Sequence, residues 1–242
     1  MKRPPYLALL LLFLSTSCFA QGWQWGRMGH GGPGMDCWPV ATDTAGNVYT
    51  GGNAFSWGDI DFGSGVTLSI PMPIGLPDRA SIWIKYNNSG TPLWAVRTTF
   101  GDTWLHALTT DPSGNLIVFG GFENDSMKIG SFTLHNIYGL NHGTQYYLAK
   151  ISPSGTVLWA VKDGQTPNGS GLHLIGGISL FPGGSVTTDA AGSIYITSCF
   201  YKPSITIGGT TLTNTNPIGN SRDVFVAKYS PSGALLWASS LA

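Results

Sequence analysis

Short runs of β-branched and aromatic residues alternate along this chain with clusters of Gly, Pro, Asn, Asp and Ser. This pattern is typical of β-strands joined by tight turns. Outside the first twenty residues, no window of ten or more residues has helical periodicity. In several runs apolar residues occupy both alternating positions, which indicates sheets covered on both faces. The pattern therefore predicts an all-β protein built of short antiparallel strands.

The strand pattern repeats three times. Two landmarks recur in the same order, an Asp-x-x-Gly turn that precedes a strand and a later strand containing Leu-Trp-Ala. The turns begin at Asp43, Asp111 and Asp189, and the tryptophans are Trp94, Trp159 and Trp237. Units that repeat at such a period cannot bury their apolar faces alone, so we expect them to stack on their neighbours.

Each repeat contains four predicted strands. The first precedes the Asp-x-x-Gly turn, the second follows it, the third ends in a lysine, and the fourth carries the tryptophan. An additional hairpin is predicted between the second and third strands, around residues 62–68, 129–134 and 207–212. The repeats span about residues 38–97, 105–162 and 184–241. Stacked four-stranded antiparallel units of this kind are the blades of a β-propeller.

The turn residues have a structural explanation. An aspartate at the start of Asp-x-x-Gly can accept backbone N–H groups two residues further on, and glycine adopts the left-handed conformation that such a turn needs. A calcium site is the disfavoured alternative, because no cluster of further oxygen ligands accompanies the aspartates.

The repeated motifs resemble a known family. Asp-x-x-Gly-Asn-x-Tyr, Phe-Val-Ala-Lys-Tyr-Ser-Pro-Ser-Gly and Leu-Trp-Ala together are similar to the SBBP-type β-propeller repeat of secreted bacterial proteins. Lys85, Lys150 and Lys228 fall where that family carries its recurrent lysine, and the resemblance extends over about residues 23–242. It implies a secreted propeller and no common set of catalytic residues.

The N-terminus has the features of a signal peptide over residues 1–20. Lys2 and Arg3 precede an apolar run from Tyr6 to Leu14, and small residues lie before a cleavage point after Ala20. The predicted mature chain, residues 21–242, is secreted or attached to the cell surface. Acylation of Cys18 as a lipoprotein is the less favoured alternative, because the leucine that such a site prefers is one place too early.

The repeats are incomplete in one respect. Residues 22–26 match the fourth strand of a repeat, with Trp25 aligned on Trp94, but strands one to three do not precede them. Three blades are also fewer than the four or so that usually close a ring. We therefore expect an open propeller belonging to a longer protein, with exposed edges that favour self-association.

Composition excludes several classes of partner. Only 10% of the residues are charged, whereas about a quarter is usual. Loss of Lys2 and Arg3 from 12 basic residues, against 12 acidic ones, leaves a formal charge of −2. Without a basic patch a nucleic-acid partner is disfavoured, and no further apolar run reaches the ~20 residues of a membrane span. Export would allow a disulfide between Cys37 and Cys199, but free, buried thiols are the favoured interpretation.

Candidate ligand contacts lie on one side of the predicted molecule. Antiparallel connectivity places the short repeated turns on one side and the long, variable connections on the other. Variable loops on a rigid scaffold usually carry binding function. The polar and aromatic residues of these loops are Trp57, Asp59, Arg79, Trp104, His106, Glu123, Asp125, His142, His173, Tyr201 and Arg222.

No catalytic or metal-binding pattern is found among these residues, and no cofactor is expected. The five histidines are scattered without metal-ligand spacing, and Glu123 with Asp125 is better explained as a solvated loop than as an acid/base pair. A G-x-S-x-G nucleophile elbow is absent.

The sequence therefore favours an exported, non-enzymatic propeller that binds a protein or glycan ligand. One alternative is a propeller-fold enzyme, such as a polysaccharide lyase, a glycosidase or a quinoprotein, because Gly-x-x-Leu-Trp is similar to the tryptophan motif of pyrroloquinoline-quinone propellers. Another is a structural spacer within a larger surface protein.

Overall fold

A computed structural model describes residues 25–26, 34–55, 57–71, 79–99, 101–136, 145–163, 184–200, 204–215 and 222–241. These residues form eighteen β-strands, and none of them is helical. Across these ranges there is accordingly no helix long and apolar enough to cross a membrane. The predicted all-β class is confirmed.

The strands form three four-stranded antiparallel units, each with a hairpin inserted between its second and third strands. Unit 1 contains β1 (Met35–Thr42), β2 (Val48–Ala54), β5 (Ala80–Tyr86) and β6 (Pro92–Thr99), with the hairpin β3 (Gly58–Asp61) and β4 (Thr67–Ile70). Unit 2 contains β7 (Thr103–Thr110), β8 (Leu116–Phe122), β11 (Gln145–Ile151) and β12 (Val157–Asp163), with β9 (Ser126–Ile129) and β10 (Phe132–His135). Unit 3 contains β13 (Gly184–Thr188), β14 (Ile194–Phe200), β17 (Asp223–Tyr229) and β18 (Leu235–Leu241), with β15 (Ser204–Ile207) and β16 (Thr210–Thr213).

Neighbouring units contact each other at two levels. The first strands lie side by side, with β7 between β1 and β13. At the other edge of the sheets, the inserted hairpin of unit 2 joins units 1 and 2. Its strand β9 pairs with β6 of unit 1, with Ile129 opposite Thr98, and its strand β10 contacts β12 of unit 2. The predicted hairpins are therefore confirmed, and the one in unit 2 also connects that unit to unit 1.

The burial of the central strands shows which faces of units 2 and 3 are covered. Every residue of β8 and of β11 is buried, because units 1 and 3 pack against the two faces of unit 2. In β14 and β17, buried residues alternate with partly or fully exposed ones, as in a sheet covered on one face only. The prediction of two covered faces thus holds for unit 2 and fails for unit 3.

The Asp-x-x-Gly turns have the predicted geometry. Asp43 Oδ1 accepts the backbone N–H groups of Ala45 and Asn47 at 3.0 and 2.9 Å. Gly46 has a φ of 77°, in the left-handed region that glycine enters without steric cost. The turns at Asp111 and Asp189 repeat the same backbone contacts, which confirms that the aspartates cap turns.

A tryptophan and a lysine of one unit jointly bind a backbone carbonyl of the next unit. Trp94 Nε1 and Lys85 Nζ donate to the Pro153 oxygen at 3.0 and 3.1 Å. Trp159 and Lys150 bind Pro231 in the same way, each at 3.3 Å. We call this pair of donors the clamp.

The clamp also requires a glycine in the receiving turn. The Trp94 indole covers Gly155, where a β-carbon would approach the ring to 3.1 Å. Gly233 lies in the same way under Trp159. A larger residue at either position would push the indole off the turn, so the repeated Ser-Gly is a requirement of the interface as well as of the local backbone.

The clamp lysine is held by the aspartate that caps the turn of its own unit. Lys150 Nζ lies 2.7 Å from Asp111 Oδ2, and Lys85 Nζ lies 3.8 Å from Asp43 Oδ2. Burial opposes ionisation of Asp43, but hydrogen bonds from Asn47 and Tyr49, with the charge of Lys85, outweigh it and hold the pKa of Asp43 below its usual value. The aspartate therefore stays charged and keeps the lysine positioned.

Trp237 is more exposed than its two repeat equivalents, and the expectation that both cysteines are buried is wrong. Trp94 and Trp159 pack against the core and are partly buried, but Trp237 is 44% exposed, since no described unit covers that face of unit 3. Cys37 lies within β1 and is exposed, and Cys199 is half-buried. Neither thiol is buried, because β1 and β14 each have a face that is only partly covered.

The alignment of Trp25 with Trp94 is confirmed by its contacts. Trp25 Nε1 donates to the Asn88 oxygen at 3.2 Å, and its ring covers Gly90. Trp25 thus occupies on unit 1 the position that Trp94 occupies on unit 2. Trp25 and Gly26 are not in a strand, and residues 22–24 of the predicted strand lie outside the described residues.

These contacts predict unequal costs for replacing the three repeated tryptophans. We expect Trp94→Ala and Trp159→Ala to lower the free energy of unfolding by about 2–4 kcal/mol, since each removes a partly buried aromatic and a hydrogen bond between units. Trp237→Ala should cost less than ~1 kcal/mol in a monomer. Urea denaturation of the three variants measures this, and equal losses at all three positions would contradict the clamp.

Candidate functional site

The long connections of units 1 and 2 meet where an ion pair joins the two units. Arg79, directly before β5, binds Asp102, directly before β7, through two parallel hydrogen bonds of 2.7 and 2.8 Å. The Arg79 oxygen also accepts the N–H of Thr103 at 3.0 Å. Such a bidentate pair fixes the orientation of both groups.

An aromatic ring supports the arginine. The Arg79 guanidinium carbon lies 4.2 Å from the centre of the Trp104 ring, within cation–π distance. The Arg79 side chain remains 33% exposed, whereas Asp102 is 16% exposed. Arg79 therefore presents an oriented, partly solvated guanidinium at this end of the molecule.

A buried network of short polar side chains lies behind the ion pair. The Ser81 N–H is shared between Thr98 Oγ1 and Thr103 Oγ1, and these two hydroxyls are 2.7 Å apart. Asn53 Oδ1 accepts the N–H of Leu105 at 2.7 Å, which connects β2 to β7. These bonds satisfy buried polar groups that would otherwise be costly, and they fix unit 1 against unit 2 beneath the site.

Asp36 and Trp38 extend the site along the first strand. Asp36 Oδ1 accepts the N–H of Asn53 at 2.9 Å. Burial raises the pKa of Asp36 above its usual value, although hydrogen bonds from Asn53 and Trp38 and the charge of Arg79 oppose this effect. Trp38 is 48% exposed, so an aromatic face is accessible beside a carboxylate.

Two more exposed aromatic residues lie at this end of unit 1. Phe55 directly follows β2 and is 46% exposed, with its N–H bonded to the Gly34 oxygen. Trp57 precedes β3 and is 53% exposed. We call Asp36, Trp38, Phe55, Arg79, Asp102 and Trp104 the loop-end cluster.

His106 was expected on the long-loop surface, and the structure contradicts this. It lies within β7, where a bulge shifts the pairing with β8 between Leu105 and Ala107. Its ring packs 6.1 Å from the Phe119 ring, and Nε2 is enclosed without a hydrogen-bond partner among the described residues. Burial lowers the pKa of His106 to about 4, so the imidazole is neutral at pH 7.

The remaining predicted site residues are dispersed or not described. Trp104 lies in β7, half-buried beneath Arg79, rather than in a loop. Asp59 is exposed in β3, Glu123 is half-buried directly after β8, and Asp125 and Arg222 are exposed. Glu123 and Asp125 act through their backbone oxygens, which accept bonds from Asn136. His142, His173 and Tyr201 lie outside the described residues.

Four residues of the loop-end cluster are not among those predicted from the sequence: Asp36, Trp38, Phe55 and Asp102. The repeats do contain a pattern that points to Trp38. When the first strands of the three units are aligned, Trp38 falls at the same position as His106 of unit 2 and Gly184 of unit 3. Because this position holds tryptophan, histidine and glycine in the three units, the fold of the unit does not require one residue type there. Phe55 and Asp102 carry no comparable signal, since they lie in connections that do not repeat.

The loop-end cluster combines residue types that are common at binding surfaces. Within the described ranges, no three His, Cys, Asp or Glu side chains are grouped to hold a metal ion. The loop-end cluster instead offers flat aromatic surfaces beside an oriented guanidinium and two carboxylates. Arg and Trp are the residue types that contribute most at binding surfaces.

Comparisons with known proteins support a repeat fold but show no family. No protein-family model matches the chain. Over 166 residues it is 27% identical to the uncharacterized WD repeat-containing protein L264 of Acanthamoeba polyphaga mimivirus, and the alignment covers 64% of this chain and 11% of that protein. The similarity is consistent with a propeller-like repeat architecture.

Among the solved structures with some similarity to the chain is a protein of unknown function from Bacteroides caccae. It is 13% identical, with a TM-score of 0.25 over 86% of this chain and 82% of that one. A likeness this weak adds nothing to the assignment of fold or function.

The buried imidazole predicts a stability change with pH. The unfolded chain binds a proton at His106 near the ordinary histidine pKa of 6.5, whereas the folded chain does so only near about 4. Stability is therefore fully present above pH 6.5 and falls as the pH drops towards 4, by about 2 kcal/mol between pH 7 and 5. We expect His106→Leu to remove most of this slope in urea denaturation, while an exposed control, His135→Leu, keeps it.

Proposed function

We propose that this chain is an exported, non-enzymatic β-propeller scaffold that binds a protein or glycan ligand at its loop-end cluster. The observation that carries the proposal is the Arg79–Asp102 pair, held against Trp104 at the boundary of units 1 and 2. The pair lies at the same end of the molecule as exposed Phe55. A rigid base beneath variable loops is the usual setting of a binding surface.

The proposal takes the three units to be blades of an open propeller of the SBBP type. Support comes from the strand order within each unit and from the side-by-side first strands, which are the inner strands of a propeller blade. The WD repeat relative points to the same architecture.

Export is part of the proposal and rests on the signal-peptide pattern of residues 1–20, which lie outside the described residues. Secretion or attachment to a bacterial cell surface would present the loop-end cluster to extracellular proteins and glycans. The low charge content and the absence of a basic run in the sequence argue against a nucleic-acid ligand.

The chemistry of the cluster suggests how a ligand is held. The exposed rings of Trp38 and Phe55 provide apolar surface for a sugar ring or an apolar side chain. The solvated edge of Arg79 supplies hydrogen-bond donors, and Asp36 supplies acceptors. Because the ion pair and the hydrogen bonds behind it already fix Arg79, binding loses little side-chain entropy there.

A ligand screen tests this function. The purified chain would be applied to a glycan array and immobilised for capture of extracellular proteins, and any ligand found would be titrated by calorimetry. We expect Trp38→Ala and Phe55→Ala each to weaken binding about tenfold or more, as truncation of interface aromatics does.

A control variant tests the location of the site. Leu236→Ala removes an equally exposed apolar side chain from unit 3 and should leave the affinity unchanged. Failure of both screens would contradict a binding function, and a ligand whose affinity is insensitive to Trp38 and Phe55 would place the site elsewhere.

A further inference from the structure

Unit 3 carries a complete clamp on its uncovered face. Lys228 Nζ lies 3.5 Å from Asp189 Oδ2, and the Tyr195 hydroxyl donates to the same oxygen at 3.0 Å. Trp237 packs edge-on against Tyr195 with ring centres 6.4 Å apart. In unit 1, Trp94 and Tyr49 are arranged alike at 6.0 Å. The donors of unit 3 are therefore held in the binding geometry of the engaged clamps.

This clamp is more solvated than the two engaged ones. The side chains of Lys228 and Asp189 are 24% and 33% exposed, whereas Lys85 with Asp43 is 6% and 5% exposed, and Lys150 with Asp111 is 11% and 4% exposed. Apolar side chains on the third and fourth strands of unit 3 are exposed as well: Val224, Trp237 and Leu241.

The engaged clamps define what would fit this face. The partner must offer a backbone oxygen two residues before a glycine with positive φ, so that one carbonyl receives two donors and the indole lies over the glycine. Among the described residues, the turns between the third and fourth strands have this arrangement, at residues 88–90, 153–155 and 231–233. The second and third are already held within the chain.

The first of these turns is only half engaged. The Asn88 oxygen accepts the Trp25 indole N–H at 3.2 Å, and no lysine donates to it within the described part of the chain. The Pro153 and Pro231 oxygens each accept both an indole and a lysine. Gly90 has a φ of 76°, close to the 88° and 86° of Gly155 and Gly233.

We propose that the uncovered face of unit 3 binds the Asn88-Ser89-Gly90 turn of a second copy of this chain. Trp237 takes the place of Trp25 over Gly90, and Lys228 supplies the donor that Trp25 alone does not provide. The contact joins two different surfaces, and such an interface closes into a ring when the rotation per copy allows it.

The proposal makes Trp25 a competitor of association. In the monomer the Trp25 indole occupies the acceptor turn, so removing it frees the Asn88 oxygen and the surface over Gly90 for the second copy. Unspecific pairing of exposed strand edges would not be strengthened by removal of the Trp25 side chain. The effect of Trp25 therefore separates a specific clamp contact from unspecific aggregation.

Sedimentation equilibrium of the purified chain tests the proposal. We expect reversible association to a mass of two chains and no larger species. Trp237→Ala should raise the dissociation constant at least about tenfold, as loss of a central interface tryptophan does. Trp25→Ala should lower the dissociation constant. Trp57→Ala, which removes a tryptophan of similar exposure at the opposite end of unit 1, should have no effect.

A second variant guards against loss of fold. Lys228→Met keeps the side-chain length and removes the donor, and it should also weaken association while the circular dichroism spectrum and the thermal midpoint stay close to those of the unchanged chain. A monomer at all concentrations, open-ended polymers, or association that Trp237→Ala and Lys228→Met leave unchanged would each overturn the proposal. If the chain stays monomeric, this face of unit 3 does not bind a second copy.

Discussion

A backbone carbonyl held by the indole and the ammonium of the preceding unit is the contact on which the architecture depends. Both described boundaries between units place a tryptophan and a lysine on one proline oxygen. A buried ammonium is tolerated only when it is paired and fully hydrogen-bonded. The turn-capping aspartate provides that pairing, so one carboxylate serves both the turn and the interface.

This contact explains why the same residue types recur. The lysine and the tryptophan form the clamp, the aspartate holds the lysine in position, and the glycine leaves room for the indole. Tyr49 strengthens the boundary between units 1 and 2, since its hydroxyl lies 3.2 Å from Asp43 Oδ2 and 3.0 Å from the Gly114 oxygen. With one end of each boundary fixed in this way, the long connections at the other end are free to carry different side chains, and the loop-end cluster lies there.

The sequence predicted the repeating part of the structure well and the rest poorly, for a physical reason. Residues that recur must satisfy the same local geometry in every unit. They therefore predict the strand order, the inserted hairpins, the turn caps and the equivalence of Trp25 with Trp94. The exposure of Trp237 and the burial of His106 depend on what covers a face, which no local pattern encodes. The Arg79–Asp102 pair joins two non-repeating connections, so only the folded chain shows that these two residues meet.

Clamped neighbours cover unit 2 on both faces and unit 3 on one, and amide hydrogen exchange tests this coverage at a concentration where the chain is monomeric. Exchange reports local opening, which is costliest where both faces of a sheet are packed. We expect the amides of β8 and β11 to exchange markedly more slowly than those of β14 and β17. Equal protection in the two units, or slower exchange in unit 3, would contradict this coverage.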